Sequence, residues 1–118
     1  MIEFINNSSE IPYLLFKKKY DIACDANQNA IEAISISSYS KDSQEVNSRY
    51  VNLKIIDNND FIFFSNYKSP KSIEFKSHKQ ISALIYWDSI DIQIRMKADI
   101  CKTDPNFNNI YFSKRSIK

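Results

Sequence analysis

Apolar and polar residues alternate most regularly between Ile90 and Lys102, where the pattern repeats every two residues. Such a pattern predicts a β-strand with one buried face and one solvated face. The residues on the apolar side are Ile90, Ile92, Ile94, Met96, Ala98 and Ile100. Ser8–Ala26 instead predicts a helix, with Ser9 as a candidate N-cap. The apolar residues that give it roughly helical spacing are Ile11, Leu14, Leu15, Tyr20 and Ile22.

Runs of β-branched and aromatic residues predict further strands. These runs are Ala30–Tyr39, Val46–Ile56, Phe61–Asn66 and Ile81–Trp87. Asp57–Asp60 separates two of them and is expected to close a hairpin. Ser69-Pro70 and Asp104-Pro105 each combine a good N-cap with the residue favoured at the first helical position, and they predict helices over 69–79 and 106–114. Antiparallel strands with short helices at their junctions indicate a small closed barrel, a fold that is mainly β.

Composition narrows the range of functions. The chain of 118 residues suits one domain, and it contains no glycine, which excludes a Walker loop and a GxGxxG loop. Its turns must rely on Asn, Asp, Ser or Pro. The net charge of +2, from 16 basic and 14 acidic residues, is too balanced to indicate a nucleic-acid partner. Cys24 and Cys101 have neither CxxC nor zinc spacing and are interpreted as reduced thiols of a cytosolic protein. Met1–Asn7 does not resemble a signal peptide, and no apolar run approaches the length needed to cross a bilayer.

Five short motifs occur in an order and spacing that resemble the pyridoxamine 5'-phosphate oxidase family. They are Ser48–Lys54, Phe61–Lys71, Ala83–Trp87, Ile92–Met96 and Tyr111–Arg115. The resemblance runs from about residue 12 to the end of the chain. It implies a small antiparallel split β-barrel that binds FMN, forms a homodimer with the flavin at the subunit interface, and acts on pyridoxine or pyridoxamine 5'-phosphate.

The resemblance also implies a set of site residues. The cofactor-binding set is Arg49, Tyr50, Val51, Asn52, Leu53, Lys54, Phe64, Ser65, Lys71 and Gln93. Within it, Arg49, Ser65 and Lys71 are expected to hold the phosphate and ribityl end, because cations and hydroxyls match phosphate oxygens. The backbone of residues 50–53 is expected to run along the flavin, and Gln93 to contact the ring edge. Lys54, Tyr111 and Arg115 match the family's contacts to the substrate phosphate, and no catalytic residue or metal ligand is assigned.

Other interpretations of these residues are open. Arg and Lys on strands are usually solvated, so Arg49 and Lys71 would be surface charges without the ordered motifs. Gln93 and Arg95 could form the wet face of a half-exposed strand. Tyr111 and Arg115 would share a helix face whatever their role.

Several positions depart from the family pattern. Pro70 stands where the family has an arginine, Phe64-Ser65 replaces a Tyr-Thr pair, and Ala98 replaces a glycine. The chain also stops at Lys118, whereas typical members continue with further flavin and substrate contacts. Weak or absent oxidation of pyridoxine 5'-phosphate is therefore expected. The alternatives are an FMN-dependent oxidase, a relative that binds FMN or a phosphorylated B6 vitamer without turnover, and an oligonucleotide-binding barrel.

Overall fold

The computed structural model describes the backbone of residues 1–64, 79–104 and 109–117, and the side chains of 1–63 and 79–101. The elements are β1 (Glu3–Ile5), α1 (Ile11–Asp25), β2 (Ala33–Ser40), β3 (Glu45–Asp57), β4 (Asp60–Phe64), β5 (Gln80–Trp87), a 3₁₀ turn (Asp88–Ile90), β6 (Ile92–Asp104) and β7 (Asn109–Ile117). The predicted strands over 30–39, 46–56, 81–87 and 90–102 are thereby confirmed, with shifted ends. Residues 61–64 of the predicted strand 61–66 lie in β4.

The strands form one sheet that curls into a small antiparallel split β-barrel, as predicted. Neighbours pair in the order β3–β2–β5–β6–β7–β4, and β4 returns to β3. The β3–β4 ladder begins only at Leu53 opposite Phe63. Among the described residues, 45–52 of β3 therefore pair with β2 alone. Within residues 1–64, 79–104 and 109–117, the other backbone edge of this half of β3 has no strand partner.

The core follows the alternation of the strands. In β5 every second residue is buried, ending with Trp87, whose indole Nε1–H donates to the carbonyl oxygen of Ile31 at 3.0 Å. In β6 the predicted apolar face is confirmed from Ile94 to Ile100, while Gln93, Arg95 and Lys97 are exposed. Ile90 lies in the 3₁₀ turn that precedes this strand. The largest fully buried side chains are Trp87, Phe61, Phe63, Ile34, Ile36, Leu53, Ile85 and Met96.

Helix α1 packs against one end of the barrel through its aromatic residues. Phe16 contacts Phe61 and Trp87 with ring centroids 5.2 and 5.5 Å apart, and Tyr20 lies 6.0 Å from Trp87. Aromatic pairs at these separations stabilise a core beyond the area that they bury. The buried face is therefore set by Phe16, Tyr20 and Ala23. Of the apolar residues that gave the predicted helical spacing, all but Tyr20 point towards solvent, namely Ile11, Leu14, Leu15 and Ile22.

The start of α1 differs from the prediction. Glu10, not Ser9, is the N-cap residue, and its side chain makes no capping hydrogen bond. The neighbouring Ser8 Oγ accepts a hydrogen bond from the Glu10 N–H at 3.1 Å. Pro12 lies in the first turn, where its missing N–H costs nothing.

Strand β1 was not predicted. It pairs in parallel with the end of β3, with Glu3 opposite Ile55. The Ile2 N–H donates to the buried Tyr20 hydroxyl at 2.8 Å, which ties this strand to α1. Burial of the phenol, above all other causes, raises the pKa of Tyr20 above its ordinary value of 10.0.

Most described residues in the left-handed conformation are Asn or Asp, as expected for a chain without glycine. In the hairpin between β3 and β4, Asp57 pairs with Asp60, and Asn58 adopts the left-handed conformation at φ 56°. The other residues with positive φ are Asn6, Asn27, Ala30, Gln44 and Asp91. Ala30 and Gln44 are exceptions to the expected residue types, because a Cβ atom disfavours this region.

The predicted helix over 106–114 is wrong, because Asn109–Ile117 forms strand β7. β7 pairs with both β6 and β4, so its backbone groups complete two ladders. This long-range pairing outweighs the local signal of Asp104-Pro105. The predicted helix over 69–79 lies almost wholly outside the described residues. Within the described ranges, no helix is long and apolar enough to cross a membrane, and no cluster of side chains is arranged to hold a metal ion.

Candidate functional site

Arg49 combines a core-facing position with solvent exposure. It lies directly opposite Ile36 in the β2–β3 ladder, and directly opposed residues share a face of the sheet. Ile36 is 1% exposed and belongs to the core, whereas Arg49 is exposed at the open side of the barrel. In the described part of the chain, the Arg49 guanidinium has no ion pair or side-chain hydrogen bond. Arg49 is therefore an exposed cation on the core-facing side of β3, unpaired with the residues that the structure describes.

The backbone next to Arg49 is paired on one side. Tyr50, Val51 and Asn52 pair with Ser35, Ile34 and Ala33 of β2, and the Leu53 N–H donates to the Glu32 carbonyl at 2.8 Å. The opposite edge of 50–52 has no strand partner among the described residues. A ligand could hydrogen-bond along this edge, as the resemblance implies.

The side chains of these residues divide between two faces. Tyr50 and Asn52 are exposed on the outer face, while Leu53 is fully buried. Leu53 is thus a core residue whose backbone is already paired with Glu32 and with Phe63 of β4, so among 50–53 only 50–52 match the expected course along a flavin. Lys54 is exposed at the irregularity between Leu53 and Ile55, where the β3–β4 register shifts.

Gln93 lies on the outer, polar face of β6, opposite Tyr86. It borders a groove of about 310 Å³ between the first half of α1 and the start of β6. The groove is lined by Ile11, Pro12, Leu15, Phe16, Lys19, Ile92, Gln93 and Ile94. Its volume is at the lower end of the range for small-molecule sites, and mostly apolar walls with a few polar groups are typical of them. Lys19 and Gln93 are the polar side chains of this otherwise apolar lining.

One chain does not bring Arg49 and Gln93 together. The row that contains Arg49 continues through Ile36 and Ala83 to Met96 on β6. Arg49 is three strand spacings, or about 14 Å, from Met96 across the sheet. Gln93 lies three residues from Met96, or about 10 Å, along β6. Their side chains also point to opposite faces, since Met96 is buried and Gln93 exposed.

Several predicted site residues are only partly described. Ser65 and Lys71 lie outside the described residues. Phe64 ends β4, where it pairs with Asn109. Tyr111 and Arg115 belong to β7 rather than to a helix. Four residues span about 13 Å along a strand, against about 6 Å along a helix, so the two cannot form the compact pair that a helical turn would give.

Sequence reasoning missed Lys19 and the groove that it lines. Ile11 and Leu15 are both exposed, and neither contributes to the core. The spacing of apolar residues in the sequence does not show which of them face solvent, so it gave no signal for the groove. Apart from Tyr20, the group in the described residues with a clearly perturbed pKa is Tyr13, whose pKa is raised by burial and then by Glu10 and Asp60.

Comparisons with known proteins find relatives both in sequence and in fold. No protein-family model matches the chain. It is 34% identical over 112 residues to the pyridoxine/pyridoxamine 5'-phosphate oxidase of Colwellia psychrerythraea, covering 92% of this chain and 50% of that protein. It is 31% identical over 111 residues to the enzyme of the same name from Aliarcobacter butzleri, covering 94% and 52%. The chain thus spans about half the length of these curated relatives.

Solved structures show the same fold. PhzG from Burkholderia lata, crystallised with tetrahydrophenazine-1-carboxylic acid, superposes with a TM-score of 0.75 at 23% identity, over 80% of this chain and 46% of that one. A pyridoxamine 5'-phosphate oxidase-related, FMN-binding protein from Nostoc punctiforme gives a TM-score of 0.68 at 15% identity, over 81% and 51%. By sequence and by fold, the chain belongs to the pyridoxamine 5'-phosphate oxidase-like family of split barrels.

Proposed function

We propose that this chain binds FMN between two copies of itself and uses it to oxidise pyridoxine or pyridoxamine 5'-phosphate to pyridoxal 5'-phosphate. The observation that carries the proposal is that Arg49 is exposed on the core-facing side of β3 and makes no ion pair or side-chain hydrogen bond with the described residues. Arginine presents a planar fork of donors that matches phosphate oxygens. The backbone edge of residues 50–52, which has no strand partner within the described part of the chain, would offer further donors and acceptors to the ribityl chain.

Two copies are proposed because a single copy does not bring Arg49 and Gln93 together. Arg49 and Gln93 face opposite sides of the sheet, so a flavin that contacts both must take them from different subunits. The outer face also carries apolar side chains, with Tyr50 76% and Tyr86 59% exposed. Leu84 lies in the same cross-strand row as Tyr50, through Ser35. Burial of such a face against a second copy would remove apolar surface from water.

The chemistry would divide between cofactor and chain. FMN would supply the hydride acceptor and pass the electrons to oxygen, which releases hydrogen peroxide. The chain would bind and orient: Arg49 holds the cofactor phosphate, Gln93 of the second copy contacts the ring edge, and Lys54 addresses the substrate phosphate. Lys54 suits this role because its ammonium is exposed on the strand that carries Arg49.

A second candidate is FMN binding without turnover, and the course of β7 favours it. Tyr111 and Arg115 lie along a strand, so the helical turn that was expected to present both to one substrate phosphate does not form. A substrate held loosely is a poor reactant, since a misplacement of about 1 Å can cost a hundredfold in rate.

The test is the absorption spectrum of the purified protein, followed by fluorescence titration with FMN and with riboflavin. Bound flavin and a preference of at least about tenfold for FMN are expected. Equal affinity for the two would contradict the phosphate role of Arg49. Peroxide release with pyridoxine 5'-phosphate then separates the oxidase from the second candidate.

A further inference from the structure

Three consecutive lysines on α1 lie in three different environments. Lys17 forms an ion pair with Asp21 at 2.7 Å and lies over the Phe4 ring at 4.7 Å. Lys18 is exposed. Lys19 is half-buried and lines the groove between α1 and β6. Among the described residues, Lys19 has no ion pair, so its ammonium adds an uncompensated positive charge to this groove.

The rest of the groove suits a flat aromatic system with one polar edge. Ile11 and Leu15 supply apolar walls although both are exposed to water, at 79% and 48%. Gln93 offers an amide that can donate and accept hydrogen bonds. Exposed apolar walls beside a free cation indicate an apolar ligand that carries, or comes to carry, negative charge.

We propose that the groove receives the ring edge of FMN from the second copy and that Lys19 stabilises the negative charge of the reduced flavin. This inference rests on the proposed function. Hydride transfer adds two electrons and one proton to the ring, so the reduced ring is an anion unless it takes up a second proton. A positive charge at the ring edge favours that anion, and charge near the ring is one of the means by which proteins tune flavins. Lys19 is thus a positioning and tuning residue, and Gln93 alone could not supply the charge.

The test compares Lys19→Gln with Lys18→Gln, which removes the same charge one residue away from an exposed position. For each holoprotein, the affinity for oxidised FMN is measured by fluorescence titration, and the midpoint potential of bound FMN by equilibration with a reference dye. Lys19→Gln is expected to weaken binding of reduced FMN about tenfold more than binding of oxidised FMN. For a two-electron couple this lowers the midpoint potential by about 30 mV.

Lys18→Gln is expected to leave the potential unchanged. Equal potentials for wild type and Lys19→Gln, with FMN bound in both, would overturn the role of Lys19 and leave the proposed function intact. An equal shift in both variants would also overturn it, since that would reflect the net charge of the helix. A wild-type protein that does not bind FMN at all would overturn both proposals.

Discussion

Arg49 and Ile36 lie directly opposite each other in the β2–β3 ladder, which places a guanidinium on the face of the sheet that elsewhere forms the core. An arginine on this face needs a partner or an opening to solvent, because burying an unpaired charge is costly. Arg49 is exposed to solvent and makes no ion pair with the described residues, so its guanidinium is available to an anion.

Replacing Arg49 with Met is expected to weaken FMN binding at least tenfold and to leave riboflavin binding unchanged. Hydrogen bonds to charged groups contribute about 1.5–3 kcal/mol, which corresponds to a tenfold effect or more. Fluorescence titration with both ligands is the measurement. Lys18→Met is the matched control, since it removes one positive charge from an exposed position on α1. A similar loss in the control would mean that overall charge, not the position of Arg49, controls affinity.

Mixing two defective variants tests whether each flavin site draws on two copies. Arg49→Ala and Gln93→Ala are each expected to bind FMN weakly as homodimers. In a mixed dimer, one site receives Arg49 from the second variant and Gln93 from the first, so it is intact. Co-refolded mixtures are therefore expected to regain wild-type affinity in one site per mixed dimer. No recovery, or a monomer by light scattering at micromolar concentration with FMN present, would contradict the shared site.

Oxidation of pyridoxine 5'-phosphate is expected to be slower than about 1 per second, the lower end of ordinary turnover numbers. The reason is that Tyr111 and Arg115 lie along strand β7, not on the helical turn that the expected substrate contacts require. Peroxide release under air, with saturating FMN, measures the rate. Lys54→Ala is expected to raise KM about tenfold, with Lys18→Ala at an exposed position of α1 as the control. Turnover at 1 per second or faster would show that β7 does not impair substrate binding.

Alkaline pH is expected to destabilise the fold through Tyr20. Its folded-state pKa is raised, above all by burial, so the neutral phenol is favoured in the folded protein. The stability that this contributes is complete below the unfolded-state pKa near 10 and is lost as pH rises through the folded-state value. Tyr20→Phe cannot ionise, but it leaves the Ile2 N–H without its acceptor. At pH 8 the variant is expected to be less stable by about 1–3 kcal/mol.

Thermal unfolding between pH 8 and 11 measures this difference. The gap between wild type and Tyr20→Phe is expected to close as the pH rises above 10. A gap that stays constant over this range would mean that the Tyr20 hydroxyl does not titrate with unfolding.

Much of the fold could be predicted from local pattern. The alternation in β6 fixed its buried face, and Asp57–Asp60 marked a hairpin because Asn and Asp tolerate the left-handed turn. Strand β1 could not be predicted, since three residues carry too little pattern and their partner is the distant end of β3. β7 was misassigned because its pairing with β4 and β6 outweighs a local helix-start signal.

The site could be predicted only in part. The ordered motifs pointed to Arg49 and Gln93 as site residues, but a linear pattern does not show that they face opposite sides of one sheet. That relationship requires the registers of three ladders. Lys19 was not predicted for a related reason. The spacing of the apolar residues suggested that they form the buried face of α1, whereas Phe16, Tyr20 and Ala23 form it.

The position of β7 in the ring has a consequence for how the chain folds. Until β7 has been synthesised, β4 and β6 each have one unpaired edge. Phe61, for example, pairs on that edge with Phe112, which is among the last residues to be made. Pairings between such distant residues slow folding, and exposed edges invite association with other chains. Early intermediates of this barrel are therefore expected to be prone to aggregation, and β7 to be the strand whose docking ends that risk.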